Sequence, residues 1–361
     1  MAHGVNPAEA PWREAVAAMV GASSVDLEDV RREPLDYDAF LAHRDVHRLR
    51  GAAVTGTGRR PWSLIEKVTE GPATASPYLL DNGRREHAAY TSGLLEDLAP
   101  SLVAPRLYGS QVEADGRITL WLEEIRDEAP RPLEAESLLA ISRDLGAMAG
   151  RWLDRVPSHP WLFTGWIDRH AQPEAMEAGL ATLERAKTPS SLSWTGREGE
   201  SQELIRAQPR VRAILEALPQ TLCHHDAVGA NTLRSGGRSA LIDWESVGPG
   251  PVGADLASVL FASVRRGDAS AHVVRSLVED AFDAYVEGLR SEDAEADVAA
   301  ARRGCDAAIC LRWKLAADVA ETALEGRPAR RGSAPEESPE QALEELTQLV
   351  GILLDAARRV L

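Results

Sequence analysis

At 361 residues, with 44% apolar and 27% charged residues, the chain has the composition of an ordinary globular protein and the length for two modest domains or one two-lobed domain. Its formal net charge of −16 argues against nucleic acid and anionic membrane surfaces as partners, because both are bound through clustered Lys and Arg, and it is compatible with a cationic ligand. The three cysteines lack the spacing of a disulfide framework or a zinc site. The first residues lack the basic and apolar regions of a signal peptide, and no apolar run reaches the ~18 residues that span a bilayer, so we expect a cytoplasmic protein.

The predicted elements of the first third are mostly strands. A helix is predicted over residues 10–20, and two strands, over 47–54 and 62–68, are joined by a glycine-containing hairpin. Apolar residues at helical spacing predict a second helix over 84–98. Two further strands are predicted on either side of Ala114-Asp115-Gly116, the second within ITLWLEEI.

From about residue 127 onward the pattern becomes helical. Helices are predicted over 132–156, 201–218, 253–264, 270–289, 292–324 and 339–361, and loops over 171–200 and 326–338. Residues 221–247, between two of these helices, form a short β-like segment with a hairpin turn at Ser235-Gly236-Gly237. We therefore expect an α+β protein with a small β-rich part, residues 1–126, followed by a larger helical part, residues 127–361.

The β-like segment contains the polar residues that best fit a chemical reaction. It carries HHDAVGAN and, after the hairpin, IDWE, which place Asp226, Asn231 and Asp243 on loops that flank one hairpin. Phosphoryl transfer needs a carboxylate close to the attacking hydroxyl and oxygen ligands for Mg²⁺ on the nucleotide phosphates. Two other interpretations stay open: these side chains could cap turns, or the His-His-Asp run could bind zinc, which would need a further His or Cys at suitable spacing.

The order H-x-D-x-x-x-x-N, short hairpin, I-D-W-E and G-x-x-x-x-D-L-A resembles the aminoglycoside phosphotransferase family of the protein-kinase-like superfamily, and it is most similar to the actinobacterial antibiotic phosphotransferases. The resemblance covers about residues 45–325 and is sharpest over 221–260. It implies a protein-kinase-like two-lobed fold with a small β-rich N-lobe and a larger, mainly helical C-lobe. The roles it implies are the catalytic aspartate for Asp226, Mg²⁺ ligands for Asn231 and Asp243, and structural positions for His224 and Asp255.

The β-rich part offers partners for a nucleotide. Lys67, one of only three lysines among 40 basic residues, lies in the predicted strand WSLIEKV, where alternate residues face opposite sides. Its ammonium group could reach the nucleotide phosphates and be held by Glu86 on the following helix, roles that the resemblance supports. A solvated strand lysine and a surface carboxylate are the alternatives. TGTGRR is predicted to be a turn between strands, so the loop that covers the nucleotide is expected near residues 42–47, which contain no glycine.

ITLWLEEI and the residues after it resemble the last N-lobe strand and the hinge between the lobes. Backbone groups of Glu123, Glu124 and Ile125 would bind adenine or guanine there, and Ile65 and Ile242 would cover the base. Because backbone groups make these contacts, the sequence does not distinguish ATP from GTP as the phosphate donor.

Recognition of the acceptor is expected from the helical part. The candidates are Glu245, Trp166, Arg312, Trp313, Asp318 and Glu321. Carboxylates that face an open cleft would suit a cationic small molecule, whereas tryptophans at helical spacing are more often core residues and acidic residues are more often solvated.

Together these features predict an ATP- or GTP-dependent O-phosphotransferase that modifies a hydroxyl group of an aminoglycoside, nucleoside or peptide antibiotic, in resistance or self-protection. A metabolic kinase for choline, homoserine or a sugar would use the same catalytic residues, and a nucleotide-binding pseudokinase is the remaining alternative. The apolar side of the C-terminal helix could pack within the chain or against a second copy, so both a monomer and a homodimer stay open.

Overall fold

The computed structural model describes residues 11–35, 44–69, 83–187, 197–332, 334 and 336–361. The chain forms two compact units. The first comprises Met1–Asp97 and Ala104–Arg126, and the second comprises Leu98–Val103 and Asp127–Leu361. None of the described helices is both long enough and apolar enough to cross a membrane.

The strands of the first unit belong to one antiparallel sheet. In chain order, the strands of both units are β1 (Asp26–Pro34), β2 (Arg44–Thr55), β3 (Gly58–Thr69), β4 (Leu102–Val103), β5 (Leu107–Val112), β6 (Ile118–Glu123), β7 (Gln220–Cys223), β8 (Thr232–Ser235), β9 (Arg238–Leu241) and β10 (Gly248–Pro251). The sheet of the first unit has the order β1-β2-β3-β6-β5. The second unit contains the antiparallel pair β7–β10 and a sheet of order β4-β9-β8, in which β4 runs parallel to β9.

Helices make up most of the second unit. In chain order, the helices of both units are α1 (Arg13–Val20), α2 (Arg84–Thr91), α3 (Ala135–Arg151), α4 (Trp166–His170), α5 (Pro173–Ala186), α6 (Glu198–Arg206), α7 (Gln208–Glu216), α8 (Ala254–Ala257), α9 (Ser263–Arg266), α10 (Ala271–Glu292), α11 (Val298–Cys310), α12 (Lys314–Glu325) and α13 (Pro339–Val360). A π-helical turn, Ser258–Ala262, joins α8 to α9, and 3₁₀ turns cover Leu94–Glu96, Gly229–Asn231 and Trp244–Ser246. Of these helices α1 and α2 lie in the first unit, so the expected α+β class is confirmed.

The two faces of strand β3 differ: one contributes to the apolar core of the first unit, and the other carries the buried Lys67. One side of the strand places Trp62 and Leu64 in the apolar cluster that α1 covers. The other side carries Ile65, which packs against the apolar residues of β6, and Lys67, which is paired in register with Leu120. The two-residue period of the strand thus leaves Lys67 on the face away from α1.

Helices α3 and α10 pack with their backbones in close approach. A Cβ atom at Gly146 would lie 2.0 Å from the carbonyl oxygen of Tyr285, and one at Gly288 would lie 1.9 Å from that of Arg143. The missing side chains of these glycines let the two helices form the centre of the second unit. The apolar side of α13, with Leu353 at 0% exposure, is buried in the same unit.

Two predicted boundaries are wrong for local reasons. The helix predicted over 84–98 ends at Thr91, because Gly93 adopts a left-handed φ of +83° and the chain continues in a 3₁₀ turn. Residues 171–200, predicted to be a loop, contain α5, which begins with Pro173 in its first turn, and the start of α6.

The predicted nucleotide-covering loop at residues 42–47 is also corrected in part. Residues 44–47 are paired with β3 as the start of β2, and residues 42 and 43 lie outside the described residues. The helices predicted over 201–218, 253–264 and 292–324 exist, but each is interrupted, the second of them by the π-helical turn.

Candidate active site

A buried carboxylate ties the loop after β7 to the start of α8. Asp255 accepts hydrogen bonds from the backbone N–H groups of His224 (2.7 Å) and His225 (2.8 Å), one on each oxygen. Burial raises the pKa of Asp255 to about 6, although both hydrogen bonds favour the ionised form. Asp255 therefore holds the His224-His225-Asp226 run next to α8.

His224 is fully buried and joins the two sides of the β-like segment. Its Nε2 lies 3.0 Å from the carbonyl oxygen of Ile242, and the backbone nitrogen of Asp226 lies 3.3 Å from its Nδ1. Nε2 therefore carries the proton and donates a hydrogen bond to the carbonyl oxygen, while Nδ1 accepts one from the backbone N–H of Asp226. This neutral ring holds the backbone of Asp226 against the chain that leads to Asp243.

His225 adopts a left-handed backbone conformation, with φ of +62°. Its ring stacks on Trp166 with 4.9 Å between centroids, and its Nε2 donates to the carbonyl oxygen of Pro249 at 3.1 Å. Burial lowers the pKa of His225 to about 3, so the ring is neutral at physiological pH. These contacts hold a conformation that costs about 1–3 kcal/mol for a residue with a side chain, directly before Asp226.

Cys223, His225 and Asp255 form the one cluster among the described residues with the composition of a metal site. Their potential ligand atoms lie within 4.8 Å of one another, and all three residues are buried. Hydrogen bonds already use both oxygens of Asp255 and the Nε2 of His225. Burial raises the pKa of the Cys223 thiol well above its ordinary value, so the sulfur is protonated.

Asp226 and Asn231 are held against each other. The amide Nδ2 of Asn231 donates to the Asp226 carboxylate oxygen Oδ2 (2.9 Å) and to the Asp226 backbone oxygen (3.0 Å). Burial and the charge of Asp243 raise the pKa of Asp226 to about 6. The carboxylate is thus ionised at neutral pH, and its pKa lies close to the range in which a group accepts a proton during catalysis.

Asp243 lies beside this pair at the start of the 3₁₀ turn Trp244–Ser246, with a left-handed φ of +65°. The buried indole N–H of Trp244 donates to the carbonyl of Leu241 (2.8 Å) and fixes the turn. The backbone N–H of Ile242 donates to the carbonyl oxygen of Asn231 at 3.0 Å, so the residue before Asp243 contacts Asn231 directly.

The side chains of Asn231 and Asp243 fit a divalent cation. Because Asn231 uses Nδ2 on Asp226, its Oδ1 is left for a cation, and no described residue donates a hydrogen bond to that atom. An amide oxygen and a carboxylate are hard oxygen ligands of the kind that Mg²⁺ prefers. Phosphate and water oxygens would complete the coordination of the ion.

In the first unit, Lys67 and Glu86 form a buried ion pair. The Lys67 Nζ lies 2.8 Å from Oε1 and 2.7 Å from Oε2 of Glu86. The residues are 7% and 1% exposed, so a solvated lysine and a surface carboxylate are both wrong as interpretations. The helix α2 carries the carboxylate to the face of β3 from which the ammonium group projects.

The residues of the predicted hinge lie at the end of β6, in the first unit. The backbone N–H of Glu123 donates to the carbonyl of Arg106 (2.8 Å), so this donor is already used. The carboxylate of Glu124 is held by Arg48 (2.5 Å) and by the hydroxyl of Ser63. Of the backbone groups predicted to bind the base, the Glu123 N–H is therefore engaged within the first unit.

The family model of the phosphotransferase enzyme family matches residues 54–299, a range that includes Lys67, Asp226 and Asp243. The chain belongs to the phosphotransferase enzyme family. It is an enzyme that transfers phosphate to a hydroxyl group of a small molecule. No curated protein matches the chain in sequence.

Solved structures resemble this phosphotransferase over nearly its whole length, at low identity. An aminoglycoside phosphotransferase from Alicyclobacillus acidocaldarius is 13% identical, with a TM-score of 0.51 over 100% of this chain and 98% of its own. An amicoumacin kinase is 14% identical, with a TM-score of 0.49 over 89% and 90%. A choline/ethanolamine kinase family protein from Mesorhizobium loti is 16% identical, with a TM-score of 0.45 over 91% and 92%. The likeness to the first structure and the family match establish the protein-kinase-like fold, and the actinobacterial type stays a prediction.

The two tryptophans predicted to contact the acceptor are buried in the phosphotransferase. Trp166 stacks on His225, and the indole N–H of Trp313 donates to the carbonyl of His170 at 3.0 Å. Both rings therefore belong to the core of the second unit, as the core interpretation of these residues predicted.

The predicted acidic residues are mostly in ion pairs. Asp318 is bound to Arg265 (2.9 Å), and Glu321 to Arg327 (3.1 Å). Glu245 is half-buried in the 3₁₀ turn that follows Asp243. Asp318 and Glu321 are therefore each already bound to an arginine of the same chain, in the place where a cationic acceptor was expected.

Arginines near Asp226 are the functional candidates that the sequence reasoning largely missed. Arg266, Arg169 and Arg312 each lower the pKa of Asp226, so their positive charges lie close to it. Only Arg312 was a predicted site residue. Because nearly all of the 40 basic residues are arginines, no compositional signal distinguishes those that lie near the site.

Proposed function

We propose that this phosphotransferase transfers the γ-phosphoryl group of ATP or GTP, in the cytoplasm, to a hydroxyl group of an aminoglycoside, nucleoside or peptide antibiotic. The observation that carries the proposal is the Asp226 carboxylate, which the amide of Asn231 holds at 2.9 Å and whose pKa burial raises to about 6. The motif that resembles antibiotic phosphotransferases supports an antibiotic as the acceptor. Its modification would serve resistance or self-protection.

Asp226 would accept the hydrogen bond of the acceptor hydroxyl and orient its oxygen for attack. The bond from this oxygen to the γ-phosphorus forms while the bond from the γ-phosphorus to the bridging oxygen of the β-phosphate breaks. The hydroxyl proton passes to a carboxylate oxygen of Asp226 late in the transfer. Lys67, held by Glu86, would bind the phosphates of the nucleotide and offset their charge.

Asn231 and Asp243 would hold Mg²⁺, which stabilises negative charge on the phosphates when it is bound. Backbone groups of Glu123, Glu124 and Ile125 would bind the base, the first of them through its carbonyl oxygen because its N–H is engaged. Both adenine and guanine suit contacts of this kind, so ATP and GTP are both proposed as donors.

Mass spectrometry of a pooled panel of hydroxylated antibiotics, incubated with enzyme, Mg²⁺ and ATP or GTP, tests the proposal. We expect a product heavier by one phosphoryl group, and we expect Asp226→Asn and Asp226→Ala to lower its rate of formation by a factor of about 10²–10⁴. Asp283→Asn is the matched control, because Asp283 is an exposed aspartate on α10. Unchanged turnover in Asp226→Ala would show that Asp226 has no catalytic role.

Adding choline, homoserine and sugars to the panel, and measuring nucleotide hydrolysis without an acceptor, separates the other classes of function. If only choline, homoserine or sugars were phosphorylated, the enzyme would be a metabolic kinase with the same catalytic residues. If no acceptor reacted and nucleotide hydrolysis in the presence of Mg²⁺ were also absent, catalysis itself would be disproved for this chain.

A further inference from the structure

Two helices of the second unit contact the Asp226 loop, which is the run His224-His225-Asp226 after β7. α4 contacts it through Trp166, whose ring stacks on His225 at 4.9 Å. α8 contacts it through Asp255, which accepts the backbone N–H groups of His224 and His225. The π-helical turn Ser258–Ala262 follows α8 directly, so Ser258 lies one helical turn, about 5 Å along the axis, from Asp255.

Arg312 and Trp313 connect these two segments. The guanidinium Nη2 of Arg312 donates to the hydroxyl of the buried Ser258 at 2.9 Å. The indole N–H of the next residue, Trp313, donates to the carbonyl of His170, at the end of α4, at 3.0 Å. The Arg312 side chain is thus fixed between the end of α4 and the π-helical turn, on the helical side of the Asp226 loop.

Positive charge is concentrated at this place. Burial, followed by the charges of Arg312, Arg169 and Arg265, lowers the pKa of His170 well below its ordinary value. Burial also lowers the pKa of Arg312 to about 10, so its guanidinium is charged at physiological pH. Like charges collected in a half-buried space are unfavourable unless anions compensate them, and Asp226 and Asp255, which raise the pKa of Arg312, supply part of that compensation.

Two arginines near Arg312, Arg265 and Arg266, each form an ion pair with a carboxylate, whereas Arg312 forms none within the described part of the chain. Arg265 lies 2.9 Å from Asp318, and Arg266 lies 3.6 Å from Asp268. No carboxylate of the described residues lies within ion-pair distance of Arg312, and its buried Nε has no hydrogen-bond acceptor among them. A buried guanidinium nitrogen without an acceptor costs free energy that a bound oxygen ligand would recover.

We propose that the acceptor of this phosphotransferase carries an anionic group, a carboxylate or a phosphate, near the hydroxyl that is phosphorylated, and that Arg312 binds this group. The inference rests on the proposed function but narrows its acceptors, because it excludes cationic ones such as aminoglycosides, which the net charge of the chain suggested. A guanidinium is suited to the role because its planar donors match the two oxygens of a carboxylate or phosphate. The hydrogen bond to Ser258 uses one of the two Nη2 hydrogens, so the other Nη2 hydrogen, Nε–H and Nη1 of Arg312 remain for the ligand.

Matched pairs of acceptors test the charge preference. Each pair contains a hydroxylated carboxylic acid and its primary amide, or a hydroxylated phosphate monoester and the corresponding diol, and aminoglycosides form a cationic set. Binding is measured by calorimetry on full-length protein with Mg²⁺ and a non-hydrolysable ATP analogue, and kcat/KM is measured with ATP. The variants are Arg312→Gln, Arg312→Lys and, as matched control, Arg327→Gln, which removes an exposed arginine just after α12.

We expect at least one acid to bind about tenfold or more tightly than its neutral partner. Arg312→Gln should abolish this difference, Arg312→Lys should keep part of it, and Arg327→Gln should behave like the wild type. The pairs with carboxylate and with phosphate decide which anion is bound. Arg312→Lys keeps the charge and serves as the informative variant if Arg312→Gln does not fold.

Three outcomes would overturn the proposal. They are tighter binding of aminoglycosides or neutral partners than of the acids, a preference for acids that survives in Arg312→Gln, and no binding of any acid. In the last case Arg312 serves only as a counter-charge of Asp226. Failure of the proposed function is seen separately, because wild-type protein would then lack the slow ATP hydrolysis, measured without acceptor, that Asp226→Asn removes.

Discussion

At the scale of single residues, Asp226 lies where burial and the charge of Asp243 disfavour the ionised form of its carboxylate. Its folded pKa of about 6 lies above the ordinary value of 3.8, so the folded state binds the proton more tightly than the unfolded state. The resulting stability is fully present below pH 3.8 and is lost as the pH rises through about 6. At pH 8 the buried carboxylate is ionised and destabilises the protein.

Asp226→Asn should therefore stabilise the metal-free protein at pH 8 while it removes turnover. We expect a gain of about 1–2 kcal/mol, or roughly 2–6 °C in Tm, because Asn is neutral and keeps an oxygen for the Asn231 amide. The gain should vanish at pH 4, where Asp226 is protonated. Thermal unfolding of wild type, Asp226→Asn and Asp283→Asn in EDTA measures it, and an equal gain at both pH values would contradict the assignment of the raised pKa.

The same residues show which parts of the site a sequence can predict. The spacing of Asp226, Asn231 and Asp243 around one hairpin is local, so it predicts that the three side chains lie together. Lys67 was predicted from the two-residue period of a strand, and its partner Glu86 is only 19 residues away. Arg312 and Ser258 are 54 residues apart, and their contact depends on the packing of three helical segments, for which the sequence carries no periodic signal.

At the scale of elements, the close approach of α3 and α10 depends on glycine. Alanine in place of glycine normally stabilises a helix by up to about 1 kcal/mol, but a Cβ atom at Gly288 would lie 1.9 Å from the Arg143 carbonyl oxygen. Gly288→Ala should therefore destabilise the protein by about 2–3 kcal/mol, because the helices must move apart. Urea unfolding measures the change.

Gly199→Ala is the matched control for this prediction. Gly199 is an exposed residue of α6, and a Cβ atom there would have no neighbour within 4 Å. The substitution should be neutral or stabilising by up to about 1 kcal/mol. If Gly288→Ala were as stable as Gly199→Ala, the backbones of α3 and α10 would not be in close contact.

Elements that lack an apolar period escaped prediction. Strand β1 has the sequence DLEDVRREP, with only two large apolar residues, and its register shifts between Glu28 and Arg31, where Asp29 has a φ of +53°. This edge strand pairs with β2, and its Leu27 and Val30 pack against the apolar cluster of the first unit. Strand β10 has the sequence GPGP, and its two prolines are tolerated because it pairs on one side, with β7. By contrast, the hairpins at glycine turns and the long amphipathic helix α13 follow from local signals.

At the scale of the whole molecule, we expect a monomer of 39.0 kDa. The apolar side of α13, which offered a surface for a second copy, is buried within its own unit, with Val350 and Leu353 at 0% exposure. Among the described residues, Val112 at 58% is the one large apolar side chain that is mostly exposed, whereas a stable interface buries about 800 Å² on each partner. The net charge of −16 also makes two copies repel each other.

Light scattering coupled to gel filtration tests this expectation, and the ionic strength separates its two causes. At low salt both the charge and the lack of an exposed apolar surface on the described part of the chain disfavour association. At about 1 M salt the Debye length falls to about 3 Å, so repulsion is screened and only the missing surface keeps the copies apart. We expect the monomer mass under both conditions and over a hundredfold range of concentration. Twice that mass at high salt alone would show that charge had hidden an interface, and twice that mass at low salt would contradict both arguments.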